Sequence, residues 1–215
     1  EQIFYFNHNF YNNILYILFF LISYIQGAIM FIAFSGLSGS GKDTVMNSLI
    51  KNRNDLKILY QSTATTRLPR EDDKKTNTYV YLSKEQFERG IKDGLFIEYE
   101  LVHDNYYGTL KEAFEIVALD KTTHYMRDIE VKGVQNLKKF FKGKVKMISI
   151  FLDVPDDVLV DRLRKRGESE ERIVKRLSRG KLERSYKDLY DLVVENYDLD
   201  KTVKTISDFI DSQME

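Results

Sequence analysis

Continuous runs of apolar residues alternate along the chain with segments in which apolar residues recur at helical spacing. The first run, residues 30–34, is apolar throughout, as is typical of a strand buried on both faces of a sheet. Further strands are predicted at 56–60, 123–126, 145–152 and 192–194, and helices at 110–118, 131–141, 155–165, 170–189 and 201–212. This alternation predicts an α/β fold in which a parallel sheet is flanked by helices.

Residues 1–29 differ from the rest of the chain because they contain no lysine or arginine and are rich in Asn, Tyr, Phe and Ile. Their apolar run, 14–25, is shorter than the roughly 20 residues that a membrane-spanning helix requires. A secretory signal would need a positive start and a small-residue cleavage site, and neither is present. We therefore expect residues 1–29 to be a disordered or artefactual extension of a folded unit that spans 30–215, with a membrane anchor as the alternative.

The composition narrows the classes of function. The 215 residues suffice for one α/β domain with a sizeable core. Lys+Arg and Asp+Glu both number 33, so the net charge of zero gives no reason to expect nucleic acid or an anionic membrane as a partner. The chain contains no cysteine, which excludes disulfides, thiolate metal ligands and cysteine nucleophiles.

The first apolar run leads directly into a glycine-rich turn, a lysine and a helical pattern. The residues concerned are Gly36, Leu37, Ser38, Gly39, Ser40, Gly41, Lys42, Asp43 and Thr44. This order is typical of a phosphate-binding loop, in which backbone N–H groups and a helix N-terminus surround a phosphate while the lysine reaches the β- and γ-phosphates. We therefore predict that these residues bind ATP, rather than forming an ordinary glycine-rich turn.

Asp43 stands where such loops usually carry the Ser or Thr that ligates Mg²⁺, and Thr44 follows it. Because Mg²⁺ keeps much of its hydration shell in proteins, a carboxylate can hold it through a bound water. We expect Asp43 and Thr44 to lie beside the metal, while the sequence leaves its direct protein ligand open.

The segment after the second predicted strand is rich in Thr, Arg and Tyr at 63–70, 79–81 and 105–109. Arg67 and Arg70 lie three residues apart around a proline, a stiff double cation suited to a phosphate dianion. In order and spacing this segment resembles the GMP-binding domain of guanylate kinases nearly position for position. With the loop before it and the sequence after it, the resemblance extends from about residue 30 to the C-terminus.

The resemblance implies a P-loop nucleoside-monophosphate kinase that moves the γ-phosphate of ATP onto GMP, and onto dGMP, in the cytoplasm. It implies that Arg67, Arg70, Tyr79 and Tyr107 hold the GMP phosphate. Guanine presents N1–H and a 2-amino group side by side, and a carboxylate accepts both hydrogen bonds, whereas adenine offers no such pair. The residues that the resemblance implies around the base are Thr63, Glu98, Gly108, Thr109 and Glu130.

Asp128 and Glu130 follow the third predicted strand and resemble the family's Asp-Ile-Asp motif. Acids at the carboxyl end of a parallel strand lie in the crevice where such sheets bind ligands. We assign Asp128 to the Mg²⁺–phosphate region and Glu130, one methylene longer than the usual Asp, to the guanine edge. Arg127 precedes them at a position that is commonly apolar, and the sequence offers no reason for it.

Basic and acidic residues are interspersed at 161–177, which fits a solvated helix, while the neutral total charge weakens the alternative of a nucleic-acid patch. The segment resembles the lid of guanylate kinases, which implies that Arg162, Arg166 and Arg176 swing onto the transferring phosphoryl group. Asn196 matches the position that contacts adenine. The implied division is a core of 30–62 and 110–215, a GMP-binding insert at 63–109 and a lid at about 162–180.

Phosphoryl transfer through a loose transition state needs charge neutralisation and in-line alignment more than acid–base chemistry. Lys42, Mg²⁺, Arg67 and the lid arginines would supply the positive charge, and no general base is needed because the acceptor oxygen of GMP is already anionic. Two other hypotheses share parts of this pattern. A ribose-bisphosphate phosphokinase would need no base recognition, and an inactive guanylate-kinase-like binding module tends to lose the loop and the lid arginines.

Overall fold

The computed structural model describes residues 29–58, 63–69, 79–102, 104–119 and 123–214. The expectations for Arg70 and for residues 1–28 of the extension therefore lie outside the described residues. None of the described helices is both long enough and apolar enough to cross a bilayer.

The elements of the described residues follow one another in an α/β order. The strands are β1 (Met30–Gly36), β2 (Leu56–Ile58), β3 (Thr63–Thr65), β4 (Tyr79–Tyr81), β5 (Phe96–Val102), β6 (Asn105–Leu110), β7 (His124–Asp128), β8 (Lys146–Asp153) and β9 (Leu192–Glu195). The helices are α1 (Lys42–Asn52), α2 (Lys84–Lys92), α3 (Lys111–Leu119), α4 (Val131–Phe141), α5 (Asp156–Lys165), α6 (Glu170–Arg184) and α7 (Leu199–Ser212), with a 3₁₀ turn at Lys187–Leu189.

Five parallel strands form the main sheet in the order β2-β7-β1-β8-β9. The central strand β1 is buried on both faces because its alternate side chains enter two separate cores. Met30, Ile32 and Phe34 pack on one face with apolar residues of α1 and α7. Phe31 and Ala33 pack on the other face with residues of α3 and α4. The predicted parallel sheet flanked by helices is thus confirmed.

A second, mixed sheet of order β4-β3-β6-β5 lies within residues 63–110. Its small core contains Phe87 of α2, whose ring stacks on Phe96 at 4.3 Å and on Tyr106 at 5.0 Å between ring centroids. Gly108 in β6 is buried against these rings, and a Cβ atom there would lie 2.7 Å from Phe87. Helix α2 begins with a capping box, in which Ser83 and Gln86 satisfy each other's backbone N–H groups.

Two predicted helix boundaries were wrong by two residues or more, and side-chain hydrogen bonds lie near both. The helix predicted at 170–189 ends at Arg184, and the chain then turns toward β8. The Asp191 carboxylate holds the chain there by accepting hydrogen bonds at 2.7 Å from the Ser149 amide and hydroxyl. The last helix begins at Leu199 rather than 201, because the Asp198 carboxylate caps it by accepting from the Lys201 amide at 3.1 Å. The third strand was also predicted too short, since it extends to Asp128.

Candidate active site

The glycine-rich loop connects the carboxyl end of β1 to the start of α1. At Gly36 the backbone φ is +137° and a Cβ atom would lie 2.0 Å from the Leu152 carbonyl oxygen of β8, so only glycine fits. The Lys42 ammonium donates to the carbonyls of Gly36 at 2.8 Å and Leu37 at 3.2 Å. These bonds fold the lysine back over its own loop, where its charge lies beside the N-terminus of α1.

The Ser40 hydroxyl lies inside this loop and is fully buried, and no group in the described part of the chain forms a hydrogen bond with it. A buried polar atom of this kind is rare unless a ligand or water meets it. The loop, its lysine and the helix N-terminus together form a cradle for an anion.

Two carboxylates, those of Asp43 and Asp128, interact through their charges at the mouth of the loop. The pKa of Asp43 is raised, first by partial desolvation in the cleft and then by the negative charge of Asp128. Carboxylate and hydroxyl oxygens are the ligands that Mg²⁺ prefers, and Thr44 lies next to Asp43. The described residues include no cluster of three or more acidic, histidine or cysteine side chains that would hold a metal alone. This donor set therefore fits a Mg²⁺ ion that takes its remaining ligands from water and phosphate.

Backbone hydrogen bonds place the loop after β7 against the end of β1. The Ile129 amide donates to the Phe34 carbonyl at 2.7 Å, and the Ser35 hydroxyl donates to the Ile129 carbonyl at 2.5 Å. Asp128 and Glu130, on either side of Ile129, are thereby held at the carboxyl edge of the main sheet. This is the edge at which open α/β sheets bind ligands.

Glu98 and Thr109 face each other on neighbouring strands of the second sheet. A bulge between Phe96 and Glu98 shifts the register of β5 so that Glu98 lies opposite Thr109. The buried Thr109 hydroxyl donates to the Glu98 carboxylate at 2.5 Å. Desolvation raises the pKa of Glu98, and the nearby charges of Glu100 and Glu130 raise it further, against the lowering effect of the Thr109 hydrogen bond.

Aromatic and cationic groups gather around Tyr79, on the edge strand β4 of the second sheet. The rings of Tyr79 and Tyr107 meet edge to face with centroids 6.3 Å apart, and the Arg67 guanidinium carbon lies 5.4 Å from the Tyr79 centroid. Burial, followed by the negative charge of Asp128, raises the pKa of Tyr79 to about 12. The Tyr79 hydroxyl therefore remains protonated at neutral pH and can donate a hydrogen bond to an anion.

Arg127 joins this cluster from β7, although no role was predicted for it. Its side chain is only 3% exposed, and its Nη2 atom lies 3.3 Å from the Thr63 hydroxyl oxygen. The signal in the sequence was an arginine near the end of a buried strand, at a position that is commonly apolar in the family.

Two of the three predicted lid arginines, Arg162 and Arg176, form hydrogen bonds with the glycine-rich loop. Arg162 donates to the carbonyls of Ser40 at 3.1 Å and Asn196 at 2.6 Å, and the Asn196 amide donates to the same Ser40 carbonyl at 2.7 Å. Arg176 bonds with the Ser38 hydroxyl and with the Glu168 carboxylate. Arg166 lines a cleft of about 230 Å³ beside Thr44, and the walls of that cleft also contain Asn196, Tyr197 and Leu199.

Arg179 is a second site residue that the sequence analysis missed. It lies one helical turn after Arg176 on α6, and its Nη2 atom donates to the Glu130 carboxylate at 2.8 Å. It also donates to Glu183 at 3.1 Å. The spacing of three residues after a predicted site arginine was a signal that could have identified it.

The chain is similar to proteins of one family in both sequence and fold. The family model described as "Guanylate kinase" matches residues 30–213. A guanylate kinase of Caldanaerobacter subterraneus is 38% identical over 180 residues, which cover 82% of this chain and 84% of that protein. One of Mycoplasmoides gallisepticum is 37% identical over 194 residues, which cover 89% of this chain and 95% of that protein. The crystal structure of guanylate kinase from Anaplasma phagocytophilum superimposes on this chain with a TM-score of 0.64 and 24% sequence identity. The match covers 88% of this chain and 87% of that chain, so the two proteins share the fold.

Proposed function

The chain belongs to the guanylate kinase family, and from this premise we propose that it transfers the γ-phosphate of ATP to GMP and to dGMP. The observation that carries the proposal is the Glu98–Thr109 pair near the charge of Glu130, which together form a carboxylate edge. Guanine presents two adjacent donors to such an edge. A carboxylate held by one hydroxyl keeps lone pairs for both of them.

ATP is the proposed phosphoryl donor. Its phosphates would lie in the loop at 36–44, where Lys42 and the amides at the start of α1 supply positive charge. Its adenine would lie in the cleft that Asn196 lines, next to Tyr197.

The acceptor nucleotide would bind along the second sheet. Arg67, Arg70, Tyr79 and Tyr107 are the proposed ligands of its phosphate, with the protonated Tyr79 as a donor. The proposed neighbours of its guanine are Thr63, Glu98, Gly108, Thr109 and Glu130. Gly108 contributes close packing, since a side chain there would collide with Phe87.

Mg²⁺ is the proposed metal, held beside Asp43, Thr44 and Asp128. When bound, it neutralises charge that develops on the phosphate oxygens during transfer. The raised pKa of Asp43 supports this placement, because desolvation and the negative charge of Asp128 both oppose its ionisation and a bound cation would offset them.

Arginines would supply the remaining charge stabilisation. Arg67 lies beside Tyr79 at the proposed acceptor end, and Arg162, Arg166 and Arg176 border the loop, so both substrates would have cations beside their phosphates. The proposed lid, at about 162–180, would close over the rest of the core (30–62 and 110–215) and the insert at 63–109. Its closure would exclude water and prevent hydrolysis of ATP. We place this reaction in the cytoplasm, where both nucleotides are available.

The competing hypotheses are less favoured. A ribose-bisphosphate phosphokinase has no use for a carboxylate edge that fits guanine, whereas Glu98 is positioned by a strand bulge and a buried threonine. An inactive binding module has no use for an intact loop with its lysine and three arginines around it.

The test is a coupled assay of ADP release with GMP, dGMP, AMP and ribose 1,5-bisphosphate as acceptors. GMP and dGMP should be phosphorylated rapidly, while AMP and the ribose bisphosphate should give little more than the background of ATP hydrolysis. Rapid turnover with the ribose bisphosphate and none with GMP would overturn the proposal.

A further inference from the structure

Arg127 is a charged side chain buried inside the acceptor end of the site. A guanidinium remains ionised at physiological pH, and burying it is costly unless polar or anionic groups surround it. At 3% exposure, Arg127 is more deeply buried than Arg53, Arg176, Arg179 or Arg184. Because Arg127 lies near the end of a strand beside the ligand crevice, an anionic group of a ligand could stabilise its charge.

The neighbours of Arg127 come from three separate elements. Its Nη2 atom lies 3.3 Å from the hydroxyl oxygen of Thr63 on β3, and its Nε atom lies 3.7 Å from the carboxylate of Asp128 on β7. Its guanidinium carbon lies 6.0 Å from the ring centroid of Tyr79 on β4. Arg67 lies 5.4 Å from the same centroid, so two guanidinium groups converge on one tyrosine.

The charge of Arg127 also reaches the donor side of the site. It acts on the carboxyl group of Asp43, at the mouth of the glycine-rich loop, as well as on Tyr79. The charge of Arg127 therefore acts both on Tyr79, a proposed phosphate ligand of the acceptor, and on Asp43 of the loop that holds the donor. In-line transfer requires the acceptor phosphate to occupy the space between these two groups.

We propose that Arg127 binds the phosphate of the acceptor nucleotide as a further cation, approaching it from the main sheet while Arg67 approaches from the second sheet. The proposal rests on the proposed function, because it concerns the same acceptor site. A guanidinium is suited to this role, since its planar fork can donate to two phosphate oxygens at once. The hydroxyl of Thr63 and the ring of Tyr79 hold the fork in place.

This role makes a prediction that a purely structural role does not. A phosphate-binding arginine contributes to the affinity for GMP and contributes nothing to the affinity for guanosine, which has no phosphate. An arginine that merely supports the pocket would affect both ligands alike. The gap between the two affinities therefore isolates the interaction.

The experiment measures the dissociation constants of GMP and guanosine by calorimetry for the wild type and for Arg127→Met. GMP should bind about 10- to 100-fold more weakly to the variant, the usual effect of removing a hydrogen bond between charged groups. Guanosine should bind within about twofold of the wild type. Arg53→Met is the matched control, because Arg53 is a partly buried arginine that pairs with Asp55 and with Asp211 near the end of α7. It should leave the affinity gap unchanged.

Arg127→Gln is a second variant in case Arg127→Met fails to fold. The glutamine amide can still donate a hydrogen bond to Thr63, but the positive charge is lost. It should narrow the gap between GMP and guanosine as Arg127→Met does. An unchanged gap in either folded variant, or an equal loss of both ligands, would overturn the proposal. A variant in which only the Mg²⁺ requirement changes would also overturn the proposal, because Arg127 would then serve to orient Asp128. If the wild type itself binds GMP no better than guanosine, the proposed function fails, whatever the variants do.

Discussion

Arg179 Nη2 donates to Glu130 Oε2 at 2.8 Å, and this ion pair joins helix α6 to the loop that follows β7. Glu130 is one of the two carboxylates proposed at the guanine edge, and α6 also carries Arg176, which contacts the glycine-rich loop. The pair therefore connects the acceptor pocket to the helix that borders the donor. Because the Arg179 and Glu130 side chains are 36% and 56% exposed, the contribution of the pair to folding is small.

We predict that Arg179→Met raises the KM for GMP about threefold, since Glu130 loses the partner that orients its carboxylate. The KM for ATP should change less than that for GMP. Lys175→Met is the control, because Lys175 pairs at 2.7 Å with Glu171 on an exposed part of the same helix. Steady-state kinetics with each substrate varied in turn would check this. Equal changes in the two variants would show that the Arg179–Glu130 pair has no specific role in acceptor binding.

Lys42 lies on the donor side of the site, folded over the carbonyls of Gly36 and Leu37. We predict that Lys42→Ala lowers kcat by at least about 10³-fold, because the charge that meets the β- and γ-phosphates is lost where charge develops. Calorimetry should show nearly unchanged binding of GMP. Lys51→Ala, an exposed lysine in the last turn of the same helix, should keep wild-type turnover. Turnover near the wild-type value in Lys42→Ala would contradict the assignment of the loop.

Gly36 and Gly143 both have positive φ angles, but their surroundings differ. A Cβ atom at Gly36 would lie 2.0 Å from the Leu152 carbonyl oxygen, whereas at Gly143 no atom in the described part of the chain lies within 4 Å. We predict that Gly36→Ala lowers the free energy of unfolding by about 3 kcal/mol or more, because the central strand must move away from β8. Gly143→Ala should cost only about 1 kcal/mol, the usual cost of a side chain in the left-handed region, where Gly143 has a φ of +75°. Urea denaturation measures both values, and equal losses would contradict the close packing of β1 on β8.

The raised pKa of Glu98 predicts how binding of the base depends on pH. Guanine donates two hydrogen bonds to the ionised carboxylate, and a protonated carboxyl group can accept only one of them well. Binding of guanine should therefore weaken as the pH falls from about 7 and Glu98 becomes protonated. Because the pKa of Glu98 is raised, this weakening should begin at a higher pH than it would with an ordinary glutamate. The sign for folding is opposite, since ionised Glu98 opposes folding above its pKa and this cost disappears as it becomes protonated.

Calorimetric titration with guanosine checks this pH dependence, because guanosine carries no phosphate that titrates in the same range. Thr109→Val is an informative companion. Loss of the hydroxyl that stabilises the carboxylate should raise the pKa of Glu98 further and move the loss of binding to higher pH. An affinity for guanosine that stays constant from about pH 7 to about pH 4.5 would contradict the role of Glu98.

The main sheet was predictable because each of its strands carries a local signal. Residues 30–34 form a continuous apolar run, and helix α4 was predicted with the bounds that the structure has, 131–141, because its apolar residues follow one helical stripe. The second sheet gave much weaker signals. Its strands β3 and β4 are three residues long and mostly polar or aromatic, so their pairing depends on contacts with β6 rather than on local pattern.

The candidate site was predictable where a motif is continuous in sequence, as in the loop at 36–44. The roles of Glu98 and Thr109 came from family resemblance, and the strand bulge that sets them opposite each other has no signature in the local sequence. Arg127 and Arg179 were missed because their partners, Thr63 and Glu130, lie on distant segments. Single-sequence patterns do not report pairs of this kind.

The proposed function requires that a carboxylate edge selects guanine as the base of the phosphoryl acceptor. The most direct test is the ratio of kcat/KM for GMP to that for AMP, measured for the wild type and for Glu98→Gln. The wild type should favour GMP by about 10³-fold or more, because AMP leaves buried hydrogen-bonding groups unpaired. Glu98→Gln should reduce that ratio by at least about tenfold, with the affinity for ATP unchanged. A wild type that uses AMP as well as GMP, or a variant that keeps the full ratio, would rule out selection of guanine by Glu98.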